Sequence, residues 1–157
     1  MRMDDLSFDQ NGFLKPYGPI STNMQTLEDI FVYNEQRKSI FAAYQNFIEE
    51  IRAIYAGNFT QWVNGSFVTK KILPKDIDIV TFLPFEIIDS QKNLFQRDRW
   101  KLMYVDCFFE RVFPMSHPMS NISKMDKAEW NALFSTTRRD RSTFKRYNKG
   151  FLQINFE

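Results

Sequence analysis

A long helical period restricts the fold of this chain more than any other sequence feature. Apolar side chains recur at steps of three and four residues between Asn34 and Ala56, at Ile40, Phe41, Tyr44, Phe47, Ile48, Ile51, Ile54 and Tyr55. This spacing is typical of an amphipathic helix, and Gly57 supplies its end. The sequence therefore predicts one long helix over 34–56 with one buried face.

After this helix the pattern changes to short apolar runs that are typical of strands. Residues 59–63 are followed by Asn64-Gly65, residues 77–83 are followed by Pro84, and two further runs cover 103–109 and 151–156. Their β-branched and aromatic side chains favour extended structure, and the turn residues end it. We expect these runs to form one small mixed sheet.

Helical segments around these runs complete the fold prediction. A first helix begins near Thr26, whose hydroxyl would cap it, a broken helix covers 85–100, and another covers 119–134. The last of these would pack through Met125, Ala128, Leu133 and Phe134. Together the segments predict an α/β (α+β) fold, with a small mixed β-sheet flanked by helices.

Length and composition predict a single domain over 1–157. The chain has no internal repeat or linker-like stretch, and its 17% aromatic content excludes disorder. The first 25 residues lack a regular period, so we expect a packed N-terminal arm over 1–25, anchored by Phe8, Phe13, Leu14 and Tyr17. No window approaches the roughly 20 apolar residues of a membrane span. This favours a cytoplasmic protein with no membrane partner.

The scarcity of Cys and His limits the metal chemistry available to the chain. One Cys and one His exclude a disulfide framework, a thiolate zinc site and a multi-histidine centre. A divalent metal would need carboxylate ligands, which favours Mg²⁺ or Mn²⁺. Cys107 lies in an apolar run and is expected in the core. His117 lies in a predicted loop and is expected at the surface rather than as a general base.

Three aspartates have the positions that such a metal site requires. Asp76 and Asp78 are two residues apart at the start of a predicted strand, so they point to the same face. Asp106 lies in another apolar run, where an unpaired carboxylate is unfavourable. Three converging carboxylates would form a cage for one or two Mg²⁺ ions that also bind nucleotide phosphates. The alternative is that Asp76 caps a turn and Asp78 is exposed.

The residues before these aspartates have the character of a phosphate-binding turn. Gly65-Ser66 follows a predicted strand and offers backbone N–H groups and a hydroxyl, with no side chain at Gly65 to block a phosphate. An ordinary turn with Ser66 as a helix cap explains the pair equally well. Lys70, Lys71 and Lys75 follow; Lys70 and Lys75 are the predicted nucleotide contacts, and solvated loop charges are the alternative.

A run of cations lies near the C-terminus, although the net charge of the chain is only +2. It consists of Arg138, Arg139, Arg141, Lys145, Arg146 and Lys149, with Asp140 between them. Two interpretations stay open. The run is a solvated loop, or it attracts a nucleotide, RNA or an acidic partner, with Phe144 and Tyr147 available for base stacking.

These motifs together resemble the active-site signature of the DNA polymerase beta-like nucleotidyltransferase superfamily. The resemblance rests on Gly65-Ser66, nine intervening residues, Asp76-Ile77-Asp78, and Asp106 on a later strand. Within the superfamily the chain is similar to minimal bacterial nucleotidyltransferases, several of which are toxin–antitoxin or antiviral defence components that transfer AMP to a partner protein.

The chain is also similar to a small, largely uncharacterised bacterial family of this fold. The matching segments are Asn11-Gly12-Phe13-Leu14, Trp62 to Thr69, Pro74 to Asp78, Asp106 and Lys149-Gly150-Phe151. The likeness therefore spans almost the whole chain.

The resemblance implies a Mg²⁺- or Mn²⁺-dependent transferase with a nucleotidyltransferase-like fold. Asp76, Asp78 and Asp106 would bind the metal and be catalytic, and Gly65 and Ser66 would hold the triphosphate of an NTP, with ATP expected. A nucleoside monophosphate would pass to a hydroxyl on a protein, RNA or DNA acceptor, and a cognate toxin or effector is a further expected partner. The alternative is a non-catalytic, antitoxin-like or nucleotide- or RNA-binding module that retains the fold.

Overall fold

A five-stranded mixed sheet with helices on both faces forms the centre of the protein, which confirms the predicted fold class. A computed structural model describes residues 6–91 and 97–157. The strands are β1 Ser7–Phe8, β2 Leu14–Lys15, β3 Gly18–Thr22, β4 Phe59–Asn64, β5 Ile77–Pro84, β6 Val105–Val112 and β7 Gly150–Phe156. The helices are α1 Met24–Phe31, α2 Glu35–Ile54, α3 Phe85–Ser90, α4 Arg97–Lys101 and α5 Ser120–Phe134. Strands β1 and β2 form a separate two-stranded sheet.

Four strands of the central sheet run in one direction, and β4 runs against them. The strand order is β3-β7-β4-β5-β6, in which β4 is antiparallel to both β5 and β7. Strand β3 is parallel to β7, and β5 is parallel to β6. The starts of the four parallel strands and the end of β4 therefore meet at one edge, which we call the upper edge of the sheet.

The two faces of the sheet pack against different helices. Helices α1 and α2 cover one face, where the core includes Tyr44, Phe47 and Ile79. The other face has a smaller, mostly aromatic cluster, formed by Trp62, Val80, Phe82, Phe151 and, from α5, Trp130 and Phe134. Strand β5 is buried on both faces, which explains its mostly apolar sequence, whereas β4 is equally buried but carries the polar residues Thr60, Gln61 and Asn64.

The long helix forms over Glu35–Ile54, close to its predicted bounds. The side-chain oxygen of Asn34 caps it by accepting a hydrogen bond of 2.9 Å from the backbone N–H of Arg37. The cap predicted for α1 is wrong. That helix begins at Met24, and Asn23 caps it by accepting a bond of 2.8 Å from the backbone N–H of Thr26.

The first 25 residues contain more regular structure than the sequence predicts. Strand β3 is the edge strand of the central sheet and pairs with β7 from the other end of the chain. Leu14 is fully buried, as expected of an anchor, whereas Tyr17 is exposed and donates a hydrogen bond to Asp9. The sequence did not predict β3 because it begins with Gly18 and Pro19, and neither residue favours a strand. Residues 1–5 of the predicted arm lie outside the described residues.

Helix α5 lies where the sequence predicts it, and of its predicted packing face only Phe134 is buried. Met125 and Leu133 are 62% and 64% exposed, and Ala128 is exposed as well. The helix packs instead through Trp130 and Phe134, whose rings lie 5.4 Å apart. These two residues are one helical turn apart, so their large rings reach the sheet together.

The broken helix predicted over 85–100 corresponds to α3 and α4, and residues 92–96 lie outside the described residues. Over 6–91 and 97–157, the protein contains no helix with the length and apolar character needed to cross a bilayer.

Candidate functional site

The structure brings together the three carboxylates that the sequence singles out. Asp78 is the second residue of β5 and lies opposite Asp106 of β6 in the parallel register. Asp76 comes two residues before Asp78, so its side chain faces the same side of the extended chain. One carboxylate oxygen from each of the three residues lies within 4.8 Å of the other two. The cluster sits at the upper edge of the sheet.

Mutual repulsion and burial make this cluster unfavourable for three negative charges. The pKa of Asp78 rises to about 6, mainly because its carboxylate is buried and then because Asp76 and Asp106 are close. Burial and Asp106 also raise the pKa of Asp76. Lys149 and Arg138 oppose the rise at Asp78 without cancelling it. A cation placed among the three carboxylates would relieve this repulsion.

Asn64 adds a fourth oxygen to the upper edge, and the sequence analysis missed it. It is the last residue of β4, pairs in register with Asp78, and is only 3% exposed. Its Oδ1 atom has no hydrogen-bond partner in the part of the chain that the structure describes. An unpaired buried oxygen is unfavourable by about 1–3 kcal/mol. This oxygen is therefore suited to a ligand, and only the β4–β5 register could have revealed it.

Gly65 lets the chain pass close to the carboxylate of Asp78. Its φ is +87°, and a Cβ atom added there would lie 2.8 Å from Oδ2 of Asp78. No other residue type fits this position without moving the carboxylate. Ser66 does not cap a helix, which was the alternative for this pair, because it is the first residue of a single 3-10 turn over Ser66–Val68. This turn is too short to act as an anion site by itself.

Arg37 holds the chain that follows this turn. It is fully buried, and its two terminal nitrogens donate hydrogen bonds to four backbone carbonyls. Nη1 donates to Phe31 at 3.0 Å and to Phe67, and Nη2 donates to Thr69 at 2.9 Å and to Lys71. Three of these four carbonyls belong to the segment between β4 and β5, which we call the glycine-serine loop (65–75).

Two neighbours of Arg37 at the start of α2 extend this attachment. Nδ2 of Asn34 donates to the carbonyl of Ile72, and Nε2 of Gln36 donates to that of Pro74, each at 2.7 Å. No sequence signal indicated a role for Gln36, and Asn34 entered the prediction only as the start of the long helix. Their polar side chains replace the hydrogen bonds that a loop without strand partners lacks.

Two adjoining cavities open at the upper edge. The first, of about 320 Å³, is lined by Asn64, Asp78 and Asp106 and by Trp130 and Phe134 of α5. The second, of about 560 Å³, is lined by Gly65 and Ser66 and by Gly12 and Phe13. Residues that line both cavities are Thr137, Arg138 and Lys149. Asp78, Asp106 and the glycine-serine loop therefore face one divided cleft, and Asp76 lines neither cavity.

The predicted lysines differ in position. Lys70 and Lys71 line the second cavity, and Nζ of Lys70 lies 5.3 Å from the centre of the Phe8 ring. Lys75 is exposed and lines neither cavity of the cleft. Its nucleotide contact stays a prediction that its position does not favour.

Cys107 and His117 occupy the structural positions that the sequence predicts. Cys107 is fully buried. His117 packs on the rings of Phe85 and Phe113 at 4.9 Å, and its Nδ1 accepts a hydrogen bond from the backbone N–H of Met119. Both residues therefore have packing roles outside the cleft.

The fold and the upper edge define a class of protein: a mixed α+β domain in which carboxylates and a buried amide cluster where parallel strands begin. The model of a family of unknown function, DUF6932, matches residues 6–155, and the chain belongs to this family. No curated protein and no solved structure matches the chain. The function therefore has to be argued from the cleft itself.

Proposed function

We propose that the protein is a metal-dependent nucleotidyltransferase, which moves a nucleoside monophosphate from an NTP to a hydroxyl of an acceptor. The observation that supports this most is the cluster of four oxygen-bearing side chains, Asp76, Asp78, Asp106 and Asn64. Its carboxylates repel one another, and the Asn64 Oδ1 atom lacks a partner among the described residues. A bound cation would correct both features.

Mg²⁺ or Mn²⁺ is the metal that this donor set fits. All the donors are oxygens, which hard divalent cations prefer. Asp76, Asp78 and Asp106 would hold the metal, and Asn64 lines the same cavity as Asp78 and Asp106. When bound, the metal would neutralise charge on the triphosphate and orient the acceptor hydroxyl.

The side chains around the cleft support the handling of a triphosphate. Ser66, Lys70 and Lys71 line the second cavity, where a hydroxyl and two ammonium groups would be available to the outer phosphates. Arg138 and Lys149 line both cavities, so they would meet the charge of the leaving pyrophosphate. ATP is the NTP that we expect.

The proposed transfer forms one bond to phosphorus and breaks another. The acceptor oxygen would attack the α-phosphorus, the bond from that phosphorus to the pyrophosphate oxygen would break, and pyrophosphate would leave. A carboxylate oxygen of Asp106 would accept the proton of the attacking hydroxyl. Each of these roles depends on the placement of Asp106 opposite Asp78.

Label transfer tests this proposal. The protein would be incubated with each α-labelled NTP, with Mg²⁺ or Mn²⁺, and with acceptors that include RNA, lysate proteins and the protein itself. We expect transfer from at least one NTP, and a loss of about 100-fold or more in Asp78→Asn. Asp29→Asn, which changes an exposed carboxylate on α1, is the matched control and should retain activity.

Mn²⁺ and nucleotide binding, measured by calorimetry, separate the ways in which this proposal can fail. Wild-type protein that binds Mn²⁺ no better than Asp78→Asn would contradict the metal site. Protein that binds Mn²⁺ and NTP but labels no acceptor would contradict catalysis and favour a binding module.

A further inference from the structure

The segment between α5 and β7 presents a concentrated positive charge beside the cleft. We call residues 136–149 the basic segment; its cations are Arg138, Arg139, Arg141, Lys145, Arg146 and Lys149. Its acid, Asp140, is engaged within the segment. The Asp140 carboxylate accepts bonds from the backbone N–H groups of Ser142 and Thr143 and from the Ser142 hydroxyl, which lower its pKa to about 2.

An exposed aromatic ring lies among these cations. Phe144 is 70% exposed, and its φ of +58° is unusual for a residue with a bulky side chain. Two backbone hydrogen bonds of 2.8 Å close the turn around it, from Phe144 to Asp140 and from Asp140 to Lys145. The turn holds the ring in solvent, where it contributes nothing to the core.

The same surface continues into the carboxylate cavity. Arg138, Arg139 and Arg146 line the cavity that contains Asp78 and Asp106. A bound chain with regularly spaced negative charges could therefore contact Phe144 and the arginines and still reach the carboxylates. An acidic protein would match the cations, but it would not use the face of an exposed ring as a base does.

We propose that the basic segment binds a single-stranded polynucleotide, whose phosphates contact Arg139 and Arg146 and one of whose bases stacks on Phe144. This inference rests on the proposed function in one respect: the bound strand is the acceptor, and its terminal hydroxyl is the group that receives the nucleotide. Arginine contacts to phosphate supply affinity, and stacking on an aromatic ring selects unpaired bases.

Fluorescence anisotropy with a short labelled oligouridylate tests the surface without any reaction. The measurement uses the full chain with EDTA and no NTP, so neither metal nor turnover contributes. We expect Phe144→Ala to weaken binding about tenfold. The double variant Arg139→Gln and Arg146→Gln should reduce the slope of log K against log salt by about 1.4, or about 0.7 for each lost phosphate contact.

Lys38→Gln is the matched control for these variants. Lys38 is an exposed cation on α2, which packs on the opposite face of the sheet, and it pairs with Glu35 at 3.0 Å. We expect the control to bind like the wild type, a DNA strand of the same sequence to bind comparably, and a blunt duplex to bind more weakly. Equal affinity for strand and duplex, or no change in Phe144→Ala, would overturn the stacking role.

The outcomes also separate this inference from the proposed function. A protein that binds the strand tightly but labels no acceptor would contradict the transfer reaction and leave the surface supported. A protein that labels a protein acceptor and does not bind the strand would contradict this inference and leave the transfer reaction supported. Label on the oligonucleotide itself would support both.

Discussion

The two segments that border the carboxylates are held in opposite ways. The glycine-serine loop is tied to α2 by buried or partly buried side chains, chiefly through the guanidinium of Arg37. The basic segment is held mostly by hydrogen bonds within itself, at the Asp140 turn and at the bridge between Thr136 and Asn148. Its Tyr147 ring also stacks on Phe13, with ring centres 6.0 Å apart. One border of the cleft is therefore attached to a buried side chain of α2, and the other is mostly exposed and attached largely within itself.

This difference matches the chemistry proposed for each border. A triphosphate has the same shape in every NTP, so a fixed loop can be preorganised for it. A polynucleotide varies in sequence and conformation, so an exposed segment with long arginine side chains suits it better. The comparison is open to test at each border separately.

The largest effect is expected at the border formed by the glycine-serine loop. Arg37→Met removes the hydrogen-bond donors of four backbone carbonyls, and the cost of leaving buried acceptors unpaired should lower the free energy of unfolding by about 3–5 kcal/mol. Urea denaturation measures this. Arg141→Met in the basic segment is the control, and its effect should stay within about 0.5 kcal/mol. Similar losses in both variants would remove the contrast between the two borders.

A smaller effect is expected from the titration of Asp78, which lies between the borders. Its pKa is raised to about 6 in the folded protein. The folded protein is therefore most stable, as far as Asp78 is concerned, below the unfolded pKa of about 4, where the carboxyl is protonated in both states. The free energy of unfolding then falls as the pH rises through about 6. Without metal, Asp78→Asn should gain about 2–3 kcal/mol over the wild type between these pH values.

Denaturation of both proteins across this pH range, with and without Mn²⁺, checks the prediction. Mn²⁺ should stabilise the wild type above pH 6, where Asp78 is ionised, and should have little effect on Asp78→Asn. A wild type whose stability relative to Asp78→Asn does not change with pH would show that Asp78 is solvated in the native state.

The smallest effect on stability is expected at Gly65. Gly65→Ala should destabilise the protein by about 1–3 kcal/mol because of its positive φ, and it should also weaken Mn²⁺ binding by displacing Asp78. Gly18→Ala shares the positive φ but places its Cβ in open space. Only Gly65→Ala should change the calorimetric affinity for Mn²⁺, and equal changes in both variants would mean that Gly65 does not position the carboxylate.

The sequence was sufficient for the elements whose signal is local. The period of α2 and the spacing of Asp76 and Asp78 depend only on neighbouring residues, and both predictions agree with the structure. Strand β3 was missed because it is stabilised by pairing with β7, which is far away in the chain. Its own Gly18 and Pro19 do not favour a strand.

The residues that complete the cleft were missed for a related reason. Asn64 becomes part of the site through its register with Asp78, and Arg37 through carbonyls that lie thirty or more residues away. Position 37 lies one turn before Ile40 and Phe41, on the apolar face of α2, but a charged side chain there gives no sequence signal of burial. Contacts across the fold decide both positions.

The attachment of the glycine-serine loop to α2 also limits how the length of this loop can change in evolution. Three side chains at the start of α2, those of Asn34, Gln36 and Arg37, donate hydrogen bonds to carbonyls between Phe67 and Pro74. The length of the nine-residue spacer between Ser66 and Asp76 is therefore matched to the reach of these side chains. Among family members, insertions and deletions in the loop should therefore occur together with substitutions at Arg37. Family members with the nine-residue spacer are expected to have the arginine. Members whose spacer has a different length are expected to lack it.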